Sequence, residues 1–297
     1  MKTWWCSVCA LLLLIVASES NGELADNDTL PVAAYTRLGE ALAGRKIATE
    51  SDWIVGPRTR GQASLREVFK RSVRSVPLVI SGAGTGSGVV IASGQTGGIV
   101  ITNHHVVKDA FKSDDGVEYV ILLFFEPQLS AEPFDPGRLA LCVKTKFASV
   151  WCAAIKRAAR QGIVVGTDHD RDLALAFASA LPSGVNPLPQ ARLEETQVGD
   201  DVSVIGHPLG FLWTVTTGIV SGIRQRYPMG DASGTIIQTQ TPIAPGSSGG
   251  PLLTPNGALL GVIVWGVVRE AQGLNAAIAI NEIQAFAAEQ ERKLKQK

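Results

Sequence analysis

The chain has 297 residues, 45% hydrophobic and 18% charged, which suits a globular protein and excludes a disordered one. Its 27 Lys and Arg balance its 27 Asp and Glu, so charge offers no attraction for nucleic acid or an anionic membrane. The length holds one large all-β domain or two small ones, and 31 Gly with 15 Pro suit many turns between short strands.

The N-terminus reads as an export signal. Lys2 precedes the apolar stretch Trp4 to Val16, and small polar residues follow from Ser18 to Gly22. The stretch falls short of the roughly 20 residues of a spanning helix. Residues 1–20 are therefore expected to be a signal peptide, with an uncleaved anchor as the other reading. Cys6 and Cys9 lie at or before the apolar core, where neither makes a lipid acceptor. Residues 21–63 form a leader of unclear structure, with a short helical pattern around Val32 to Ala43.

The domain is expected over 64–297. Leu65, Val68, Phe69 and Val73 share one helical face, and Ser64 with Glu67 makes a capping box. Pro77 ends the helix and Leu78–Ser81 begins a strand. Gly86–Ile91 and Gly98–Thr102 read as strands of a hairpin, and Val117–Phe125 as another strand. Residues 126–162 look like an insertion: Pro127, Pro133 and Pro136 make a loop, and Leu139–Arg160 is partly helical. Cys142 and Cys152 fall there. Ten residues of continuous helix span about 15 Å and a disulfide needs Cα atoms within about 7 Å. The pair is thus either bonded across a turn or two buried thiols. Strands follow at Ile163–Val165, Leu173–Phe177, Asp201–Ile205, Thr214–Ile223, Thr235–Thr239, Pro251–Leu253 and Ala258–Val268. A last helix runs from Asn281 to Gln296. The pattern predicts an all-β fold, a barrel or sandwich, with short helices at each end.

Three frames carry chemistry: Thr102-Asn103-His104-His105-Val106-Val107, Asp172-Leu173-Ala174-Leu175 and Gly246-Ser247-Ser248-Gly249-Gly250-Pro251. A serine hydroxyl is a weak nucleophile unless an imidazole takes its proton and a carboxylate fixes that imidazole's tautomer. Chain order separates the folds that build this group. The match of Gly246–Gly250 to G-x-S-x-G would suit an α/β-hydrolase, but no His or Asp follows Ser248. A subtilisin order would need an Asp before His105, and only Asp26, Asp28 and Asp52 stand there, in a polar stretch. The order His, Asp, Ser leaves a chymotrypsin-like double β-barrel.

With these frames the stretch from Val76 to Ile283 resembles the trypsin-like serine peptidases, and most closely the protease domain of the HtrA/Deg group. The resemblance rests on Gly86-Ser87-Gly88, the frames around His105, Asp172 and Ser248, Gly206-His207-Pro208-Leu209-Gly210 and Gly273-Leu274-Asn275-Ala276-Ala277-Ile278. Departures are Ser247 where the family has Asn, and Thr239-Gln240-Thr241-Pro242 before the serine loop. The PDZ domains of many HtrA proteins have no counterpart in these residues. The resemblance implies polypeptide substrates, unfolded or damaged ones in an exported, periplasmic or secreted setting. It implies a homo-oligomer, a trimer, by family habit alone.

Within that frame His105 is the expected base and His104 fills a variable slot, while His169 and His207 read as structural or exposed. Asp172 opens an apolar strand and is the expected acid. Asp168 and Asp170 sit in a turn-like stretch, and Asp201 is a further competitor. Ser248 is the nucleophile, with the N–H groups of Gly246 and Ser248 as oxyanion hole. The S1 pocket is placed by motif at Pro242, Ile243, Val264, Trp265, Gly266 and Gly273. No acid stands among them, so a buried Lys or Arg would lack a partner and aliphatic P1 residues are expected. Ile54-Val55-Gly56 resembles an activating N-terminus of trypsin zymogens, but that device needs an Asp where Ser247 stands, so it is read as coincidence. No metal or organic cofactor is expected. Two other readings stay open: a latent or inactive binding or chaperone module, and a narrow processing protease selecting its substrate through the 126–162 insertion.

Overall fold

The computed structural model describes residues 63–82, 84–131, 134–136, 142, 149–229, 232–264 and 273–296. The signal peptide, the leader, Ile54-Val55-Gly56, Trp265 and Gly266 lie outside these residues.

Helix α1 (Leu65–Ser72) starts at the expected capping box: the Glu67 N–H donates to Ser64 Oγ at 3.3 Å and the Ser64 N–H donates to Glu67 Oε2 at 3.0 Å. The first sheet comprises β1 (Leu78–Ser81), β2 (Gly84–Ser87), β3 (Val89–Gly94), β4 (Gly97–Thr102), β5 (Phe111–Lys112), β6 (Glu118–Leu123), β7 (Ala159–Asp168) and β8 (Leu173–Ala178). Its order is β2-β1-β6-β7-β8-β4-β3, with β5 paired to β6. The expected strand Gly86–Ile91 is thus two strands. Gly88 separates them: its N–H donates to Pro77 O at 2.9 Å, and a Cβ there would lie 2.6 Å from Val100 Cγ1. Because β2 and β3 are the two edges of the sheet and Gly88 alone joins them, the sheet must curl round on itself.

Strand β8 explains its own sequence. Leu173, Leu175 and Phe177 enter one core, while Ala174, Ala176 and Ala178 enter another. Both faces are buried, so the run reads as unbroken apolar residues rather than as an alternation with polar ones. The small residues face the curled sheet's interior, which Val79, Val90, Val100, Val120, Leu122 and Phe124 fill.

The second half is a closed barrel in the order β10-β11-β14-β13-β12-β9. Its strands are β9 (Asp201–Gly206), β10 (Thr214–Met229), β11 (Ala232–Thr239), β12 (Pro251–Leu253), β13 (Leu259–Val264) and β14 (Asn275–Ala279). Val202, Val204, Val220, Ile237, Leu252 and Ile263 are among its buried lining. Strands β10 and β11 run further than expected, as a ribbon with a register shift between Arg224 and Tyr227. Arg226 there is left-handed at φ 52°. A bulge re-aims a strand without ending it, so polar residues past Ile223 gave no sign that pairing continues.

The all-β double-barrel architecture with terminal helices is therefore the fold. The core that takes Leu173, Leu175 and Phe177 joins the halves: Ile99, Ile101, Leu175 and Phe177 meet Ile205, Leu253, Val262, Ile278 and Phe286 of the second half and of α4 (Ile280–Lys295). Within the stretch expected to be partly helical at 139–160, α3 covers Val150–Ala158 and β7 starts at Ala159. Cys142 and Cys152 are bonded, with Cα atoms 5.1 Å apart. Cys152 lies in α3, and the separation is well under the about 15 Å that ten residues of continuous helix would impose. No helix among the described residues is long and apolar enough to cross a membrane.

Candidate active site

The three chemical frames converge where the halves meet. Strand β4 ends at Thr102 and the short helix α2 (His104–Val107) follows, carrying His105. Asp172 immediately precedes β8 and holds a left-handed backbone, φ 52°, which Asp tolerates better than most residues. Both carboxylate oxygens engage His105: Oδ1 accepts its backbone N–H at 2.8 Å and Oδ2 lies 2.6 Å from Nδ1. The Asn103 side-chain amide donates to the Asp172 carbonyl at 2.9 Å. Neighbouring Arg171 bonds to Asp168 and to Glu289 of α4, and its guanidinium lies over the Phe286 ring at 5.6 Å.

The other candidates fall elsewhere. Asp168 is paired with Arg171, Asp170 lies 3.7 Å from the exposed His169, and Asp201 is exposed at the start of β9. The His104 ring stacks edge-on against His169, 5.2 Å between centroids.

Ser248 sits in the loop between β11 and β12. Gly246 and Gly249 are left-handed, φ 100° and 85°. Neither position has room for a side chain: a Cβ on Gly246 would lie 2.3 Å from the His207 carbonyl oxygen, and one on Gly249 would lie 1.9 Å from that of Ser87. Four consecutive carbonyls of the loop are held. The oxygens of Pro245, Gly246, Ser247 and Ser248 accept from the Leu209 N–H (2.7 Å), Ser87 Oγ–H (2.8 Å), Gly250 N–H (3.0 Å) and Ser87 N–H (2.7 Å). In a trans peptide the N–H points opposite the C=O. Holding the Pro245 and Ser247 carbonyls therefore aims the Gly246 and Ser248 amides the other way. Among the described residues those two amides have no acceptor, whereas the Ser247, Gly249 and Gly250 amides all donate within the protein. Gly246, Ser248 and His105 line one cleft with Gly84, Thr85, Val106 and Pro245. Such a cleft presents a hydroxyl, an oriented imidazole and two free amides to one ligand.

The sequence reading missed Asn103, Ser87 and Leu209 as supports. Each stands in a frame that it singled out, but the partners are backbone atoms, which no side-chain pattern reveals. It also left His207 undecided between structural and exposed. His207 is fully buried: its Nδ1 lies 2.9 Å from Ser87 Oγ and its ring packs edge-on against Trp213. Burial pushes its pKa down from 6.5 to about 3. The folded state thus keeps a neutral imidazole where the unfolded chain takes up a proton. The stability it contributes is complete above pH 6.5 and is lost as pH falls towards about 3. At pH 5 the loss relative to neutral pH is expected to reach about 2 kcal/mol. Urea unfolding at pH 7.5 and pH 5 should show this slope in the wild type and a shallower one in His207→Leu. Equal slopes would remove His207 as its source.

Of the six expected S1 residues, four are described. Pro242 and Ile243 enter the nucleophile loop, where the Pro242 carbonyl accepts from Thr216 Oγ1 at 2.9 Å. Val264 ends β13 and pairs with Ala276, and Gly273 is exposed at φ 86°. None of the four lines the cleft around His105. The departing stretch before Pro242 is secured by hydroxyls: Thr239 Oγ1 and Thr241 Oγ1 lie 2.7 Å apart, and the Asn275 side chain donates to the Thr241 carbonyl at 2.7 Å.

Residues 86–262 match the family model of the trypsin-like peptidase domain. HhoA of Synechocystis sp. is 30% identical over 266 residues, 88% of this chain and 56% of that protein. A protein of Pseudomonas fulva named "Probable periplasmic serine endoprotease DegP-like" is 30% identical over 276 residues, 88% of this chain and 48% of its own. The chain spans about half the length of these relatives. Among solved structures, the HtrA-type protease AlgW with a tripeptide superposes with a TM-score of 0.56 at 23% identity, covering 75% of this chain and 62% of that one.

Proposed function

The chain belongs to the trypsin-like peptidase domain family, with HtrA-type relatives, and from that premise we propose that it is a serine endopeptidase. The observation that carries the reading is the double hold of Asp172 on His105, at 2.6 and 2.8 Å, beside a cleft that Ser248 and two unclaimed amides share. In this reading Ser248 Oγ attacks the scissile carbonyl while its proton passes to His105 Nε2. Asp172 holds the Nδ1 proton and stabilises the imidazolium. The oxyanion is received by the Gly246 and Ser248 amides, each worth roughly 3 kcal/mol in the transition state. His105 then protonates the departing amine, which leaves an ester on Ser248. Water, deprotonated by the same imidazole, hydrolyses that ester and returns the proton to Ser248.

The proposed substrates are unfolded or damaged polypeptides outside the cytoplasm. The apolar N-terminal stretch and the Cys142–Cys152 disulfide support an exported protein. Pro242, Ile243, Val264, Trp265, Gly266 and Gly273 are the proposed S1 pocket, and their lack of a carboxylate favours small or medium aliphatic P1 residues.

A fluorophosphonate probe tests the reading directly. Ser248 Oγ would displace fluoride at phosphorus, leaving one covalent label per chain on the peptide that contains Ser248. His105→Ala and the denatured protein should stay unlabelled. A folded wild-type protein that takes no label, or is labelled elsewhere, would sink the proposal.

A further inference from the structure

We infer that His207 and Ser87 are positioning residues for the oxyanion hole, His207 acting on Ser87 and Ser87 on the nucleophile loop. The inference rests on the serine endopeptidase reading above.

Ser87 grips the loop from behind at two points. Its N–H donates to the Ser248 carbonyl at 2.7 Å and its hydroxyl donates to the Gly246 carbonyl at 2.8 Å. The brace is itself held, because Thr102 Oγ1 donates to the Ser87 carbonyl at 2.7 Å. Ser87 is fully buried, so no solvent competes for these bonds.

The direction of the Ser87 hydroxyl depends on His207. A hydroxyl has one proton. A carbonyl oxygen can only accept, so the bond to Gly246 uses that proton. The 2.9 Å contact with His207 must then run the other way, from Nδ1–H to Ser87 Oγ. In the opposite tautomer the hydroxyl would be drawn to a bare Nδ1, and the Gly246 carbonyl would compete for the same proton. Loss of the Gly246 hold would free the peptide that its carbonyl shares with the Ser247 N–H, the link between the two peptides that carry the Gly246 and Ser248 amides.

The cost of this arrangement is visible on the other side of the ring. Nε2 of His207 is buried with no hydrogen-bond partner among the described residues. An orphaned buried acceptor is unfavourable, and an apolar side chain of similar size would avoid it. What an apolar side chain lacks is the Nδ1–H. The backbone is tied to the same task, since the Leu209 N–H two residues on holds the Pro245 carbonyl at 2.7 Å.

The test compares wild type, Ser87→Ala, His207→Leu and His207→Asn in the full chain. Three quantities are read: kcat and KM on a peptide substrate, the affinity for a peptide aldehyde, and the imidazole nitrogen spectrum. The aldehyde forms a hemiacetal on Ser248 whose oxygen occupies the oxyanion hole, so it reports that hole separately from substrate binding. Ser87→Ala and His207→Leu should lower kcat roughly 10- to 100-fold with KM within about twofold. Aldehyde affinity should fall by the same factor. His207→Asn, whose amide N–H can reach Ser87 Oγ, should recover to within about threefold of wild type. The wild-type spectrum should show His207 protonated at Nδ1. Unchanged kcat and aldehyde affinity in folded His207→Leu, or an Nε2-protonated His207 in the wild type, would overturn the assignment. A folded wild type that neither hydrolyses peptides nor binds the aldehyde would instead overturn the functional reading, and this inference with it.

Discussion

Hydrolysis of unfolded casein should fall roughly a million-fold in kcat when Ser248 becomes alanine. The expected size follows from what the substitution removes. Without Oγ there is no covalent intermediate, and His105 is left with only water to deprotonate. The two free amides still bind a carbonyl, so a small residual rate over water is expected. The scaffold should be indifferent: the loop is held through the carbonyls of residues 245–248 and not through the Ser248 side chain. Thermal unfolding and casein cleavage measured on the same preparation separate the two effects. A Ser248→Ala protein that still cleaves casein at more than about a hundredth of the wild-type rate would assign the hydrolysis to another residue.

The second large effect is expected at Asp172. Asp172→Asn should cost about ten-thousand-fold in kcat/KM at neutral pH while leaving the fold intact. A carboxylate accepts at both oxygens, and Asp172 uses both on His105. An asparagine has one acceptor. If its oxygen keeps the backbone bond to His105, its NH2 faces Nδ1, which must then be bare. The ring proton moves to Nε2, the atom that receives the Ser248 proton in the proposed mechanism. Imidazole nitrogen spectra report this tautomer independently of rate. A loss below about tenfold, or an unmoved tautomer, would show that Asp172 does not orient His105.

Much of this could be read from the residues because the chemistry sits in short frames. The run Asp172-Leu173-Ala174-Leu175 gave both a strand and the position of a carboxylate at its start, since burial on both faces leaves only apolar residues after it. The capping box of α1 was legible for a similar reason, as both partners lie within four residues. What stayed hidden depends on distant pairing. Gly86–Ile91 has the composition of one strand, and it divides at Gly88, whose N–H bonds to the distant Pro77 and which Val100 crowds. The tail of β10 is polar because it forms a two-stranded ribbon, so composition could not extend it. The disulfide was undecidable from a ten-residue spacing, and the Cα separation of 5.1 Å decides it. In the site, the hold of Leu209, Ser87 and Gly250 on four loop carbonyls leaves no mark in side-chain identity.

The division of the site between the halves has a consequence for biosynthesis. His105 and Asp172 belong to the curled sheet, while Ser248 and its amides belong to the closed barrel. The brace on the serine loop, Ser87, comes from the first half as well. Neither half alone holds all the groups of the proposed triad and oxyanion hole. They are brought together when Ile99, Leu175 and Phe177 pack against Ile205, Val262, Ile278 and the C-terminal helix. On the proposed reading, a chain emerging from the ribosome, or threading unfolded through a translocation channel, would be harmless to its neighbours until nearly its last strand had docked.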